Sequence, residues 1–314
     1  MSHLWLPLAL LFQSDSTNDL RTELYTSFPL IVAVLCRVQF SILINDLSDS
    51  GADAAAGKKR WISLLPRPAA CVIVLLFLVL GYAAVLLGSG SLRTILAYTV
   101  SVLLGMFYSL KPFRFKKRGA LGLLVYALSA TTIYVLVPWT WLDAGLWPLM
   151  FLVAAVGSDK WIQIHFHQVI DYSADLKHGT RTYAVHAGLD RARSTLKPAS
   201  FTASLCLLGT TAYVVFLASH IVARAIVLLS LAAVMAASWV YTVRIRNRQT
   251  PNSSALVREL PWTYLGLTYL VFYVLPTLLF SFSAWQEPRI WILVVLSFLF
   301  LVCISMQSFR YQYR

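Results

Sequence analysis

AACVIVLLFLVLGYAAVLLGS, residues 69–89, decides the fold. The run holds no charged residue, and its length matches the roughly 17–25 apolar residues a helix needs to cross a bilayer. Working outward, comparable runs occupy 28–44, 92–109, 120–138, 147–168, 200–218, 222–242, 263–283 and 290–308. Leu4–Phe12 is apolar but too short to span unaided, and it reads as a partial first helix. Composition agrees: 59% of the 314 residues are hydrophobic and 12% are charged, about half of the roughly 25% that covers a soluble surface. A segment crossing lipid must satisfy its own backbone groups, which leaves helices and closed barrels. Short segments of alternating hydrophobicity, the barrel signature, are absent. The expected fold is therefore all-α, a polytopic membrane bundle of about nine transmembrane helices making one domain over residues 1–314.

Charge sets the orientation. The chain carries 26 Lys+Arg against 13 Asp+Glu, a net +13. In a soluble protein that balance points to nucleic acid, but here the basic residues lie between apolar runs, so nucleic acid is not an expected partner and membrane lipid is. Alternate connections hold Lys58, Lys59, Arg60 and Arg67; Lys111, Arg114, Lys116, Lys117 and Arg118; Lys177, Arg181, Arg191, Arg193 and Lys197; and Arg244, Arg246, Arg248 and Arg258. Arg310 and Arg314 close the chain. All five regions fall on one face, which the positive-inside rule makes cytoplasmic. The opposite connections, such as Gly88–Leu92 and Ser219–Ile221, are short and nearly uncharged. Cys36, Cys71, Cys206 and Cys303 lie in apolar segments without metal spacing and read as packing residues. The N-terminus shows neither a secretory signal nor a transit peptide, which predicts a bacterial inner membrane.

Chemistry concentrates in three segments. The first is Asn45-Asp46-Leu47-Ser48-Asp49-Ser50-Gly51-Ala52-Asp53. On a helix, residues three and four apart share a face, so Asp46, Asp49 and Asp53 point together. Converging carboxylates need a cation, and with the amide oxygen of Asn45 they form the hard-oxygen set that suits Mg2+ shared with phosphate. The plainer reading is a solvated, capped helix end. The second segment, Asp171-Tyr172-Ser173-Ala174-Asp175, is another i,i+4 carboxylate pair, followed at once by Lys177, His178, Gly179, Thr180, Arg181 and Thr182. Both segments fall on the same membrane face, and two carboxylate clusters so placed can hold two magnesium ions with a diphosphate between them. Between them runs Tyr108-Ser109-Leu110-Lys111-Pro112-Phe113-Arg114-Phe115-Lys116-Lys117-Arg118-Gly119. Its density of cations exceeds what orientation requires and suits neutralising the charge that grows on a departing diphosphate.

These three segments, in this order and on one membrane face, resemble the UbiA prenyltransferase superfamily over roughly residues 30–200. The resemblance implies a ring of helices around a central cavity under a polar cap. It implies that Asp46, Asp49 and Asp53, with Asp171 and Asp175, are the magnesium ligands. Asn45, Tyr108, Arg114 and Lys116 then contact the diphosphate, with Lys177 and Arg181 beside the second motif, and Lys116 also acts catalytically on the leaving group. Three features depart from the family pattern: the first helix is truncated, Lys58-Lys59-Arg60-Trp61 stands where an Arg-Pro pair is usual, and four apolar runs follow the second motif rather than three. Diphosphate chemistry survives these differences, and the acceptor stays open.

Two polar rows lie inside apolar runs, where ionisable residues are functional candidates by default. Arg37, Ser41 and Asn45 recur at i,i+4, so Arg37 is expected to reach the diphosphate or the acceptor. Asp159, Gln163, His167 and Asp171 form the second row, with Lys160 and His165 nearby. His167 or Asp159 can take the proton lost when an acceptor is alkylated, while His165 reads as structural and Asp159 can instead pair with Lys160. The expected function is Mg2+-dependent transfer from an isoprenyl diphosphate to a lipophilic, aromatic-type acceptor. A UbiA-type terpene cyclase uses the same ionisation and remains the first alternative. A non-enzymatic transporter or scaffold is the second, disfavoured because Pro138, Pro148 and Pro276 lie nearer helix ends than the bilayer midplane.

Overall fold

The computed structural model of the chain describes residues 20–55, 60–142, 145–177, 179–217, 221–248, 260–286 and 295. Among the described residues all regular structure is helical, with no strand and one isolated bridge between Gly119 and Thr182. The helices are α1 (Leu20–Ala55), α2 (Arg67–Gly88), α3 (Leu92–Ser109), α4 (Ala120–Leu142), α5 (Leu146–Ile170), α6 (Tyr172–Lys177), α7 (Tyr183–Ala187), α8 (Leu189–Leu217), α9 (Ile221–Arg248) and α10 (262–286). Seven segments are long and apolar enough to cross a membrane: Phe28–Gly51 of α1, α2, α3, α4, α8, Ile221–Val243 of α9 and Trp262–Leu279 of α10. Helix α5 coincides with the expected run at 147–168, but Asp159, Lys160, Gln163 and two histidines dilute its hydropathy. The expected run at 290–308 and the stretch Leu4–Phe12 lie outside the described residues.

Local sequence sets the boundaries. Pro66 and Pro68 bracket the start of α2, where proline's missing N–H would lack a helical partner in any case. The helix stops at Gly90, which takes φ +58° while its amide and that of Ser89 both return to the Val85 carbonyl. A glycine adopts that left-handed geometry without the Cβ penalty.

The described residues divide into two compact units. The first comprises 20–142 and 163–192. Its core runs through Leu30, Ala33, Val34, Phe40 and Leu43 of α1, Tyr98 of α3 and Ile133 of α4. Tyr98 donates to the Ala33 carbonyl (3.3 Å), and its phenol fills the space above Gly81, where any Cβ would overlap it. Val72, Leu75, Val79 and Leu87 stay exposed on α2, the pattern of a face solvated by lipid tails. A π-helical turn at Thr132–Leu136 interrupts α4 and buries Thr132, Ile133, Tyr134 and Val135. Such turns often mark functional positions.

The second unit comprises 145–162 and the described residues from 193 onward. Phe151 stacks on Tyr213 with ring centroids 4.4 Å apart. Helices α9 and α10 meet at Gly266, where a Cβ would stand 2.9 Å from Met235 Sδ. Ser238 Oγ donates to the Trp262 carbonyl at 2.7 Å. Asp159 is fully buried here and accepts hydrogen bonds from Tyr264 (2.7 Å) and Thr268 (3.3 Å).

Candidate active site

Helix α1 continues through the first acidic segment, so the spacing of Asn45, Ser48 and Asp49 converts into one face, as i,i+3 and i,i+4 require. Lys116 closes over that face. Its ammonium donates to Asn45 Oδ1 (2.9 Å), Ser48 Oγ (2.9 Å) and Asp49 Oδ2 (2.6 Å), using all three protons. Burial pushes the Lys116 ammonium below the usual lysine range, and the hydrogen bond and charge of Asp49 pull part of the way back. Asn45 Oδ1 also accepts from Ser109 Oγ at the end of α3 (3.2 Å).

Arg114 approaches from the same loop. It donates to the Ser48 carbonyl (3.1 Å) and to Asp49 Oδ1 (3.0 Å). Its backbone takes φ 40°, ψ 53°, a left-handed conformation that costs a non-glycine residue about 1–2 kcal/mol. The loop holds that geometry through Arg114 N–H to the Leu110 carbonyl (2.7 Å) and Lys117 N–H to the Arg114 carbonyl (3.0 Å). Arg114 Nε is buried and has no hydrogen-bond partner among the described residues. A buried N–H without a partner forfeits about 1–3 kcal/mol, so this donor is set to receive an oxygen from outside the chain. Gly122 lets the loop sit down on α4, since a Cβ there would stand 2.7 Å from the Phe115 carbonyl oxygen.

The second acidic segment reaches the same place. Thr182 pairs with Gly119 in the isolated bridge, and its Oγ1 donates to Asp175 Oδ2 (3.1 Å). The Tyr183 amide donates to Gln168 Oε1 at 2.9 Å. Tyr108 lies within electrostatic reach of both Asp49 and Asp175. Its ring packs at 5.6 Å on Tyr126 of α4. One end of the unit thus gathers both aspartate segments and the cationic loop.

The sequence pattern of the UbiA prenyltransferase family matches residues 4–260. The chain belongs to the UbiA prenyltransferase family. A UbiA homologue from Archaeoglobus fulgidus, solved bound to DMAPP and Mg2+, shares its fold with a TM-score of 0.58 at 21% identity, over 87% of this chain and 96% of that one. The same homologue bound to GPP and Mg2+ gives a TM-score of 0.57 at 20% identity, over 86% of this chain and 95% of that one. No curated protein sequence matches. The family match takes in the short N-terminal stretch and stops before α10. This UbiA-family chain is an integral membrane protein.

Asp46 is buried, with Arg60 Nε 3.8 Å from its carboxylate. The side chain of Asp53 lies outside the described residues, as does His178. Among the described residues no three carboxylate, imidazole or thiol groups stand close enough to hold an ion unaided. Asp171, Lys177 and Arg181 are exposed. His167 is exposed on α5, and its carbonyl accepts the Asp171 amide (2.9 Å). His165 is buried against the Ala192 carbonyl (Nε2 at 3.0 Å) and edge-on to Tyr183. Arg37 sits two turns below Asn45, bonded to the Ser101 carbonyl and Ser129 Oγ. Asp159 belongs to the second unit with Tyr264 and Thr268.

Sequence reasoning passed over Ser48, Ser109 and Thr182 as site residues. Ser48 had a readable signal, lying at i+3 from Asn45 and i−1 from Asp49. Thr182 stood in the run that follows the second acidic pair, but its pairing with Gly119 was unreadable because the two are remote in sequence.

Proposed function

We propose that this chain is a Mg2+-dependent intramembrane prenyltransferase that ionises an isoprenyl diphosphate and transfers the prenyl group to a lipophilic, aromatic-type acceptor. The carrying observation is the pair Arg114 and Lys116, folded onto Asn45 and Asp49 with a buried Arg114 Nε–H left over. That arrangement keeps two cations where an anion must dock and holds them in register until it arrives.

The donor set fits magnesium. Carboxylates brought to one end of the unit by two segments are hard oxygen donors of the kind this ion takes, with phosphate and water filling the remaining positions. Asp46 and Asp49 from α1 and Asp171 and Asp175 from the second segment would hold it, with Asp53 as a further oxygen donor. Magnesium supplies Lewis-acid neutralisation of the leaving diphosphate.

The rest is done by the chain. Arg114 and Lys116 bind the diphosphate oxygens, and Tyr108, within electrostatic reach of both motifs, orients them. As the carbon–oxygen bond breaks, Lys116 offsets the charge gathering on the leaving oxygen. The allylic cation left behind is shielded from water by the apolar helices, which prevents its capture as an alcohol. His167, exposed one turn before Asp171, takes the proton released by the alkylated acceptor. The basic connections orient this end towards the cytoplasm, and the expected location is a bacterial inner membrane.

The test uses full-length protein in lipid nanodiscs with Mg2+, prenyl diphosphates of several chain lengths and a panel of phenolic acceptors. Prenylated acceptor and stoichiometric diphosphate are expected, with both lost in Asp49→Asn and Arg114→Gln. Absence of diphosphate release with every substrate, together with unchanged prenyl diphosphate binding in the two variants, would overturn the proposal.

A further inference from the structure

The chain departs from the family pattern at Lys58-Lys59-Arg60-Trp61, and the described part of that connection closes one end of a groove the diphosphate site does not use. Trp61–Leu64 is a short 3-10 turn that leads through Leu65 and Pro66 into α2. Its Ile62 is fully buried, while Trp61 and Leu64 stay exposed. An exposed tryptophan beside the end of a spanning helix marks the level of the lipid headgroups.

The groove runs between α1 and α2 and has a volume of about 580 Å3, inside the range of about 300–1,000 Å3 found for ligand sites. Its walls are apolar: Phe40 and Ile44 of α1 face Val74 and Leu78 of α2. From Ser50 to Phe40 on one helix, and from Arg67 to Leu78 on the other, it descends about 15 Å at 1.5 Å per residue. That is the depth of one leaflet of a hydrocarbon core about 30 Å thick.

The polar lining gathers at the end next to the connection, where Ser50, Ser63 and Arg67 stand. Arg67 is exposed and makes no hydrogen bond or ion pair among the described residues. Asp46 and Asp49 already have Arg60, Arg114 and Lys116, so neither claims it. The first turn of α2 holds no acidic side chain, which leaves the positive end of that helix uncompensated beside Arg67. Asn45, Asp49, Arg114 and Lys116 do not line the groove, which sets it apart from the diphosphate site. Ser48 does line it, and holds Lys116 through its hydroxyl and Arg114 through its carbonyl, so an occupant packs against the turn that carries both cations.

We propose that this groove binds one anionic phospholipid of the adjoining leaflet, with its phosphate on Arg67 and the Ser50 hydroxyl and one acyl chain between α1 and α2. A zwitterionic lipid fills the apolar walls equally well but brings no net charge to the cation at the mouth, and basic pockets between spanning helices select anionic headgroups.

The test uses full-length protein delipidated in a neutral detergent. Cys71 is exposed, lines the groove one turn below Arg67 and reports on its occupancy. Alkylation by N-ethylmaleimide is followed residue by residue with peptide mass spectrometry, and Cys206 of the second unit is the internal control. Phosphatidylglycerol should slow alkylation of Cys71 about fivefold more than phosphatidylcholine of identical chains, the discrimination that one arginine near an anionic headgroup supplies. Arg67→Gln should erase that difference and melt with the parent. Leu75→Trp, which fills the exposed side of the groove, should weaken protection by both lipids and covers the case in which Arg67→Gln does not fold.

Equal protection by the two lipids, equal slowing of Cys206, or an undiminished preference in Arg67→Gln overturns the inference. So does geranyl diphosphate with Mg2+ if it protects Cys71 as well as phosphatidylglycerol does, because the groove is then an arm of the substrate site. No readout depends on turnover, so the inference stands or falls apart from prenyl transfer.

Discussion

Asp49 is gripped by two cations, at 3.0 and 2.6 Å, whereas Asp171 in the second acidic segment is exposed. The two segments share a spacing logic and a membrane face, yet Asp49 already meets two cations of the intervening loop while Asp171 is open to its surroundings. Asn45, Ser48 and Asp49 already satisfy every proton of Lys116, and the left-handed backbone of Arg114 is tolerated in order to hold its fork on Asp49. The ties of the second segment include the Thr182 hydroxyl on Asp175, the Thr180 amide on the Asp175 carbonyl and the bridge to Gly119, and none of these neutralises a carboxylate. A site that must admit a highly charged substrate gains from this division. The rigid half fixes where the diphosphate lies, and the looser half can move onto it.

The largest effect should therefore separate folding from function. Asp49→Ala strips Arg114 and Lys116 of their counter-charge at side-chain exposures of 22% and 10%. It should lower stability by about 2 kcal/mol, a value below the buried-pair range because the group is partly wet, and reduce diphosphate release about 10³-fold. Asp171→Ala should reduce release about 10²-fold while stability stays within about 0.5 kcal/mol of the parent. Melting temperature and diphosphate release measured on both variants decide the matter, and equal destabilisation would erase the distinction between the two halves.

A smaller effect probes the loop that builds the rigid half. In Gly122→Ala the new methyl would stand 2.7 Å from the Phe115 carbonyl oxygen, so the backbone next to Lys116 must shift. A cost of about 1–3 kcal/mol is expected, along with a roughly tenfold drop in activity through misplacement of the ammonium. Gly209→Ala in the second unit is the control, because its nearest neighbour, Phe151, would be 3.9 Å away. That variant should keep full activity and match or exceed the parent's stability, since alanine is the better helix former. Similar losses in both variants would mean that Gly122 acts through general helix packing and not through Lys116.

What the sequence revealed follows from the range of each interaction. Run length exposed the spans because lipid imposes it on each helix separately, and eight of the nine expected runs are helices among the described residues. Helical spacing exposed the face shared by Asn45 and Asp49 because that geometry is local. The partners of those residues were invisible for the opposite reason. Lys116 reaches Asn45 across 71 positions and Arg37 reaches Ser129 across 92, and one serine in an apolar run looks like any other. Asp159 shows the same limit: its neighbour Lys160, which acts on it electrostatically, was legible, while Tyr264 and Thr268, more than a hundred positions away and also bonded to its carboxylate, were not. The membrane character and the face shared by Asn45 and Asp49 were legible, and the contacts that gather side chains onto that face were tertiary.

The smallest expected effect tests how the looser half is tied. Thr182→Val keeps the shape of the side chain and removes the 3.1 Å bond to Asp175, at a cost of about 1 kcal/mol. Coupling energies make the contrast quantitative. A cycle of Asp49→Asn with Lys116→Met should give an interaction of about 2 kcal/mol, because a charge-assisted bond of 2.6 Å is lost from a largely buried setting. A cycle of Asp175→Asn with Thr182→Val should stay below about 1 kcal/mol without substrate. Repeating the second cycle on prenyl diphosphate affinity, with Mg2+ present, sharpens the comparison. If the looser half closes onto the diphosphate, the coupling between Thr182 and Asp175 should grow when the ligand binds, because the carboxylate is then fixed in one orientation. A coupling that is equally small with and without ligand would mean that Thr182 merely decorates the loop, and that Asp175 is placed by the backbone bonds from Asp175 N–H to the Asp171 carbonyl and from Thr180 N–H to the Asp175 carbonyl, both 2.8 Å.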